Sequence, residues 1–99
     1  MLTVFDNSDG KGDQPYLVWL TEHPRGLVLQ SRRHHDPAYL VLHRSSCWTI
    51  SRATSTMRAD PFTGQSYIKV CSDTEADLRR WLRAERMVDF SKRCAVCNA

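Results

Sequence analysis

The sequence predicts a small α+β domain: an antiparallel sheet, built from an N-terminal hairpin and two or three further strands, and one C-terminal amphipathic helix. Three observations carry this. Short runs rich in β-branched and aromatic residues recur between Pro, Gly and polar breaks from residue 16 to residue 71. A segment in the last third repeats its apolar residues at helical spacing. The chain then finishes on FSKRCAVCNA, in which Cys94 and Cys97 form a C-x-x-C near the end. A core built from 99 residues gives thin stability by itself, so a metal, a disulfide set or a partner is expected to supplement it.

Taken in order, residues 1–14 read as a flexible lead-in, because NSDGKGDQ (7–14) is rich in Gly, Asp and Ser. The single domain is expected over 15–99. YLVWLTE (16–22) reads as a strand, HPRG as a turn with Pro24 at fixed φ, and LVLQSR (27–32) as the returning arm of a hairpin. RRHHDP (32–37) is a polar connection in which Pro37 holds Asp36 extended. AYLVLH (38–43) is a third strand. Alternation sets Tyr39, Val41 and His43 on one face and Leu40, Leu42 and Arg44 on the other. CWTISR (47–52) reads as a short fourth strand, 53–66 as a long polar loop and SYIKVC (66–71) as the last strand.

SDTEADLRRWLRAERM follows, with Ser72 and Glu75 at capping-box spacing. Leu78, Trp81 and Leu82, with Ala76 and Met87, form the apolar stripe of the helix. Arg79, Arg83 and Arg86 run along its far face. Glu75 can pair with Arg79 and Asp77 with Arg80, so part of that charge is compensated within the helix. VDFSKRCAVC must then turn back.

Charge narrows the function classes. Residues 1–14 carry three Asp against Lys11, while the remainder holds thirteen Lys and Arg against eight acids, about +5. Eleven of the fourteen basic residues are Arg, whose planar fork suits phosphate and carboxylate. A solvated surface and a polyanion-binding face both fit this balance. No apolar run is long enough to span a membrane and no signal-peptide pattern opens the chain, so a cytoplasmic protein with reduced cysteines is expected. His34, His35 and Asp36 invite a hydrolytic reading. A general base needs a second group to orient it, however, and HHD in a polar connection is more simply a solvated turn. No enzymatic activity is expected of this chain.

The cysteines point further. A redox C-x-x-C opens a helix beside a βαβ unit, whereas this one ends the chain. Structural zinc instead takes two ligands from a tight knuckle and two from a distant segment. HRSSC (43–47) supplies His43 and Cys47, and the knuckle supplies Cys94 and Cys97. Cys71 in place of His43 would give a four-cysteine site, leaving His43 a plain strand residue. Zinc is expected in either set, contributing much of the folding free energy of so small a domain.

HRSSCWTISR, YIKVCSDTEADLRRWL and FSKRCAVC, in that order, resemble the metal-binding domain of Ada-type DNA-repair methyltransferases and related small zinc modules. There, C-R-P-S-C is followed by a strand, an acidic-started helix and F-R-P-C-K-R-C. The resemblance spans residues 43–97 in order of elements and is identical at few positions. It implies His43 and Cys47 as the first two ligands and Cys94 and Cys97 as the last two, with Cys71 at an apolar position of the family. Two departures matter. The family's first ligand is a cysteine that accepts a methyl group from a DNA phosphotriester, and the imidazole of His43 is no comparable acceptor. The interval from Cys47 to Cys94 is also longer. What the resemblance implies is a zinc scaffold near DNA phosphates without the repair reaction; residues 1–38 have no counterpart.

The resulting expectation is a zinc-containing DNA-recognition module, within or beside a DNA-processing or restriction enzyme. Arg32, Arg33, Arg44, Arg52 and Arg93 would contact phosphates. Trp48, beside Cys47, could stack on a base, although core packing over the metal is its simpler role. The competing expectation is a zinc-stabilised protein-interaction module presenting the apolar hairpin (Tyr16, Trp19, Leu27, Leu29) or Trp48. The Met1 start and the ending just after Cys97 fit an N-terminal domain of a longer protein.

Overall fold

In the computed structural model, residues 2–8, 10, 12–33, 39–51, 62–63, 67–85, 90 and 92–97 are described. Strand β1 (Thr3–Phe5) is followed by helix α1 (Gln14–Glu22), strands β2 (Leu27–Arg32) and β3 (Leu40–Arg44) and a turn of 3-10 helix (Trp48–Ile50). Strand β4 (Tyr67–Ser72), helix α2 (Glu75–Ala84) and strand β5 (Lys92–Arg93) complete the chain. The sheet order is β1-β4-β2-β3-β5. Its first four strands are antiparallel, and β5 runs parallel to β3. The class is α+β.

Both faces of the sheet are covered. Leu29, Leu40, Leu42, Ile68 and Val70 form one face, against Leu78, Trp81 and Leu82 of α2. Each fully buried Leu there contributes about 1.5–3 kcal/mol. Val28, Val41 and Cys71 point to the other face, against Tyr16, Trp19 and Leu20 of α1. The alternation expected in β3 holds: Val41 and His43 share the α1 side, Leu40 and Leu42 the α2 side.

Four expectations are corrected. The first arm of the N-terminal hairpin is a helix. Pro15 near its start is preset for helical φ, and Tyr16, Trp19 and Leu20 recur at i, i+3 and i+4. With Leu17 and Val18 filling the outer face, the run also satisfies a strand pattern. Second, CWTISR is no strand. The Ser51 hydroxyl donates to the Cys47 carbonyl at 3.1 Å and Thr49 Oγ1 lies 2.8 Å from Cys47 Sγ, local bonds that compete with a ladder. Third, the stretch expected as a lead-in carries β1, whose β-prone residues cover the open side of β4. Fourth, the cap of α2 is Thr74, two residues beyond Ser72. Thr74 Oγ1 accepts from the Asp77 N–H at 3.3 Å, while the Ser72 hydroxyl donates to Asp77 Oδ2 at 2.7 Å. The expected pairs Glu75–Arg79 (3.3 Å) and Asp77–Arg80 (3.2 Å) are present. Arg86, Met87 and most of loop 53–66 lie outside the described residues.

Candidate metal centre

The end of β3 delivers the first half of the centre. His43 is carried on the α1 face of the sheet and is buried. A tight turn follows, closed by the Cys47 N–H donating to the Arg44 carbonyl at 3.0 Å. Burial then alternates from His43 to Cys47: His43, Ser45 and Cys47 point inward, while Arg44 and Ser46 are exposed. The x3 spacing therefore returns the second ligand to the side of the first.

The second half arrives through β5. Val41 pairs with Lys92 and Leu42 with Arg93, and the Cys94 N–H donates to the Leu42 carbonyl at 2.8 Å. Two residues of parallel pairing thus set Cys94 beside His43, and the turn at 95–97 folds Cys97 back. The ligand atoms of His43, Cys47, Cys94 and Cys97 all lie within 4.8 Å of one another.

This set fits a tetrahedral metal ion. A thiolate tetrahedron with metal–sulfur bonds of about 2.3 Å has edges of about 3.8 Å, and Cys47 Sγ and Cys94 Sγ are 3.9 Å apart. That separation is far too long for a disulfide. The Arg44 N–H donates to Cys97 Sγ at 3.3 Å, the kind of contact that steadies a thiolate ligand. Nδ1 of His43 is buried without a hydrogen bond, although the residue has other interactions. Burial opposes ionisation of Cys94, but backbone N–H groups of Cys97 and Val96 outweigh it and hold that thiol below its ordinary pKa. Burial raises the pKa of Cys47, with hydrogen bonding from Thr49 pulling the other way.

Cys71 is not in the cluster. It is fully buried in β4 beneath α1, where burial drives its thiol pKa sharply upward. It behaves as a small core residue, and the fourth member of the cluster is His43.

The expected DNA contacts scatter. Arg44 is exposed beside the centre. Arg93 reaches Glu75 at 2.6 Å. Arg32 lies over the rings of Tyr39 and Tyr67, at 4.8 and 5.5 Å from their centroids. Arg33 donates to the carbonyls of Asp6 and Thr63, joining the sheet to two loops. Arg52, His34, His35 and Asp36 lie outside the described residues. Trp48 does not pack over the metal site; it is 56% exposed. The apolar hairpin surface does not exist as such, since Tyr16, Trp19 and Leu29 are buried in the core.

Sequence reasoning missed a second polar cluster on the α1 side. Asp13 Oδ1 accepts from the Thr63 N–H (2.7 Å) and hydroxyl (2.6 Å), and Oδ2 from the Phe62 N–H (3.0 Å). Lys69 Nζ donates to the Phe62 carbonyl at 2.7 Å. The available signals were an Asp two residues before a Pro at a helix start, and a lone Lys inside the apolar run YIKVC.

The described residues include no helix long and apolar enough to cross a membrane. The chain matches no family model, no curated protein and no solved structure.

Proposed function

We propose that this chain is a zinc-stapled DNA-recognition module, acting within or beside a DNA-processing or restriction enzyme in the cytoplasm. The observation that carries it is the convergence of one imidazole and three thiols within 4.8 Å, at the foot of an arginine-bearing loop. Three thiolates and a histidine are a zinc set. They would fill all four tetrahedral positions and leave none for a water, so the metal has a structural role and supplies no catalysis itself. The likeness to Ada-type zinc modules supports the same reading. His43 at the first ligand position removes the methyl-accepting thiolate and leaves phosphate contact as the shared property.

Arg44 and the exposed Trp48 flank Cys47, a cation for phosphate beside a ring for stacking. The test is fluorescence anisotropy of a labelled duplex with zinc-loaded protein across a salt series, with elemental analysis of the same sample. One zinc per chain and an affinity falling linearly in log salt are expected. Absence of affinity at low salt would reject DNA as the partner.

Val96 and Trp48, 57% and 56% exposed around the same centre, favour a second reading in which a protein partner covers them. Its affinity would hardly respond to salt.

A further inference from the structure

Strand register sets Gln30 between Lys69 and Val41 on the α1 face of the sheet, and Arg32 against Tyr67 two residues further along β2. Between Gln30 and the metal cluster lies a cavity of about 400 Å³, walled by Tyr39, Val41, Thr49 and Val96. His43 and Cys94 line it too, so the C-x-x-C turn that a metal would fix also shapes the cavity. We propose that this cavity seats an unstacked nucleobase of a bound nucleic acid, with Gln30 reading its edge and Tyr39 forming an aromatic wall. The inference rests on the DNA-recognition reading and adds two contact residues, Gln30 and Tyr39, that no spacing in the sequence singled out.

Gln30 is held in place and keeps hydrogen-bonding capacity. Its Nε2 donates to the Tyr39 hydroxyl at 2.9 Å. The second N–H of the carboxamide and its carbonyl make no hydrogen bond among the described residues. An adjacent donor and acceptor match the edge of a base, adenine above all, where glutamine meets an amine and the neighbouring ring nitrogen. Tyr39 is fixed in turn. The Arg32 guanidinium lies 4.8 Å from its ring centroid, and the Tyr67 ring is 5.4 Å away, centroid to centroid. A pre-positioned amide and ring lower the entropy lost on binding.

Size and charge favour a neutral ring. The volume lies within the range of small-molecule sites, about 300–1,000 Å³. No carboxylate lines the cavity among the described residues, so a cationic ligand meets no counter-charge there. Arg93 also lines it, with its guanidinium engaged by Glu75 at 2.6 Å. Val41 and Val96 offer apolar contact to the faces of a ring. Trp48, next to Thr49 in the chain and 56% exposed, supplies a second ring for a neighbouring base. The +5 of residues 15–99 draws the polyanion that carries the base. A base must leave its stack to enter a cavity, which costs least where it is already unpaired.

The test uses zinc-loaded full chain, its Gln30→Leu and Tyr39→Leu variants, and Arg80→Ala as a control on the exposed side of α2. Three duplexes of one length are compared: fully paired, carrying one unpaired adenine, and carrying an abasic residue at the same place. The abasic duplex keeps the extra backbone unit, so the ratio of the last two affinities reads the base alone. The parent is expected to favour the unpaired adenine over the abasic residue about tenfold. Each cavity variant should lower that ratio about threefold or more and keep its affinity for the abasic duplex, while Arg80→Ala keeps the ratio. Amide shifts of Thr49 and Val96 should follow both the adenine duplex and free adenosine. Equal affinity of the parent for the adenine and abasic duplexes would overturn the cavity and leave the DNA reading standing, however the variants fold. A parent preference kept in both folded variants would overturn it equally. Adenosine-induced shifts lost in Gln30→Leu, with no duplex affinity, would keep the base site and overturn its nucleic-acid source. Affinity for no duplex and no shift from adenosine would overturn both.

Discussion

The metal centre joins Cys47 to Cys94, 47 residues apart, and the Asp13 cluster joins Asp13 to Thr63, 50 residues apart. Loop-closure entropy grows only with the logarithm of length, so the two closures cost the same to within about 0.1 kcal/mol. What separates them is chemistry. At the metal centre, soft ligands repel one another as thiolates and become stabilising when a cation sits among them. At the Asp13 cluster, a buried carboxylate meets backbone N–H groups, a hydroxyl and a nearby ammonium, all supplied by the chain itself. One closure is conditional on an outside ion and the other is built in.

Chelation is the sharpest way to break the comparison. Removing the metal should cost on the order of 5 kcal/mol, most of the stability of a domain this size. Thermal unfolding of zinc-loaded and chelator-treated protein measures it, and added zinc should restore the transition. His43→Ala should abolish metal binding, whereas Cys71→Ala should keep one metal per chain and lose only core packing. Retention of metal by His43→Ala and its loss from Cys71→Ala would overturn the ligand set.

The Asp13 closure should be indifferent to chelator and sensitive to mutation. Asp13→Ala leaves two buried N–H groups without their acceptor, leaves the Thr63 hydroxyl only the longer contact to the Gly12 carbonyl at 3.4 Å, and withdraws the compensating charge near Lys69. The expected cost is about 3 kcal/mol in urea unfolding. Asp13→Asn keeps one carbonyl acceptor and should lose less. If Asp13→Ala lowered metal content instead, the two closures would be one cooperative unit.

The difference between the regions also explains what could be read in the sequence. H-x3-C and C-x-x-C are local spacings, so the ligands of each half were visible, and strand alternation set His43 on the correct face. Nothing local could pair the halves, because β5 is two residues long and carries no pattern of its own. That left His43 and Cys71 as alternatives, of which the fold brings His43 to the other three cluster residues and sets Cys71 under α1. The Asp13 cluster was illegible for a related reason. Its partner residues are about 50 positions away, and seeing Lys69 as buried requires knowing that α1 covers that face. A strand at 16–22 would have left the face open, so the misread helix hid the cluster as well.

Lys69 gives the finest test. Its ammonium lies 5.9, 6.0 and 5.9 Å from the ring centroids of Tyr16, Phe62 and Tyr67. Burial pulls its pKa from 10.5 to about 8, with the charge of Asp13 and then of Cys71 resisting. Below pH 8 both folded and unfolded chains keep the proton, and the buried charge is a constant cost. Between about 8 and 10.5 the unfolded chain holds more protons, so this group adds stability as pH rises. Tyr16 and Cys71, both pushed upward by burial, act in the opposite sense. They are present in a Lys69→Met variant too, so their main contribution cancels in the comparison. The unfolding free energy of the parent minus that of Lys69→Met should therefore grow by about 1 kcal/mol from pH 8 to pH 9. A flat difference would mean that the ammonium keeps its ordinary pKa in the fold. A full ammonium would then persist beside Asp13 through pH 9, and the closure would keep its charge over that range.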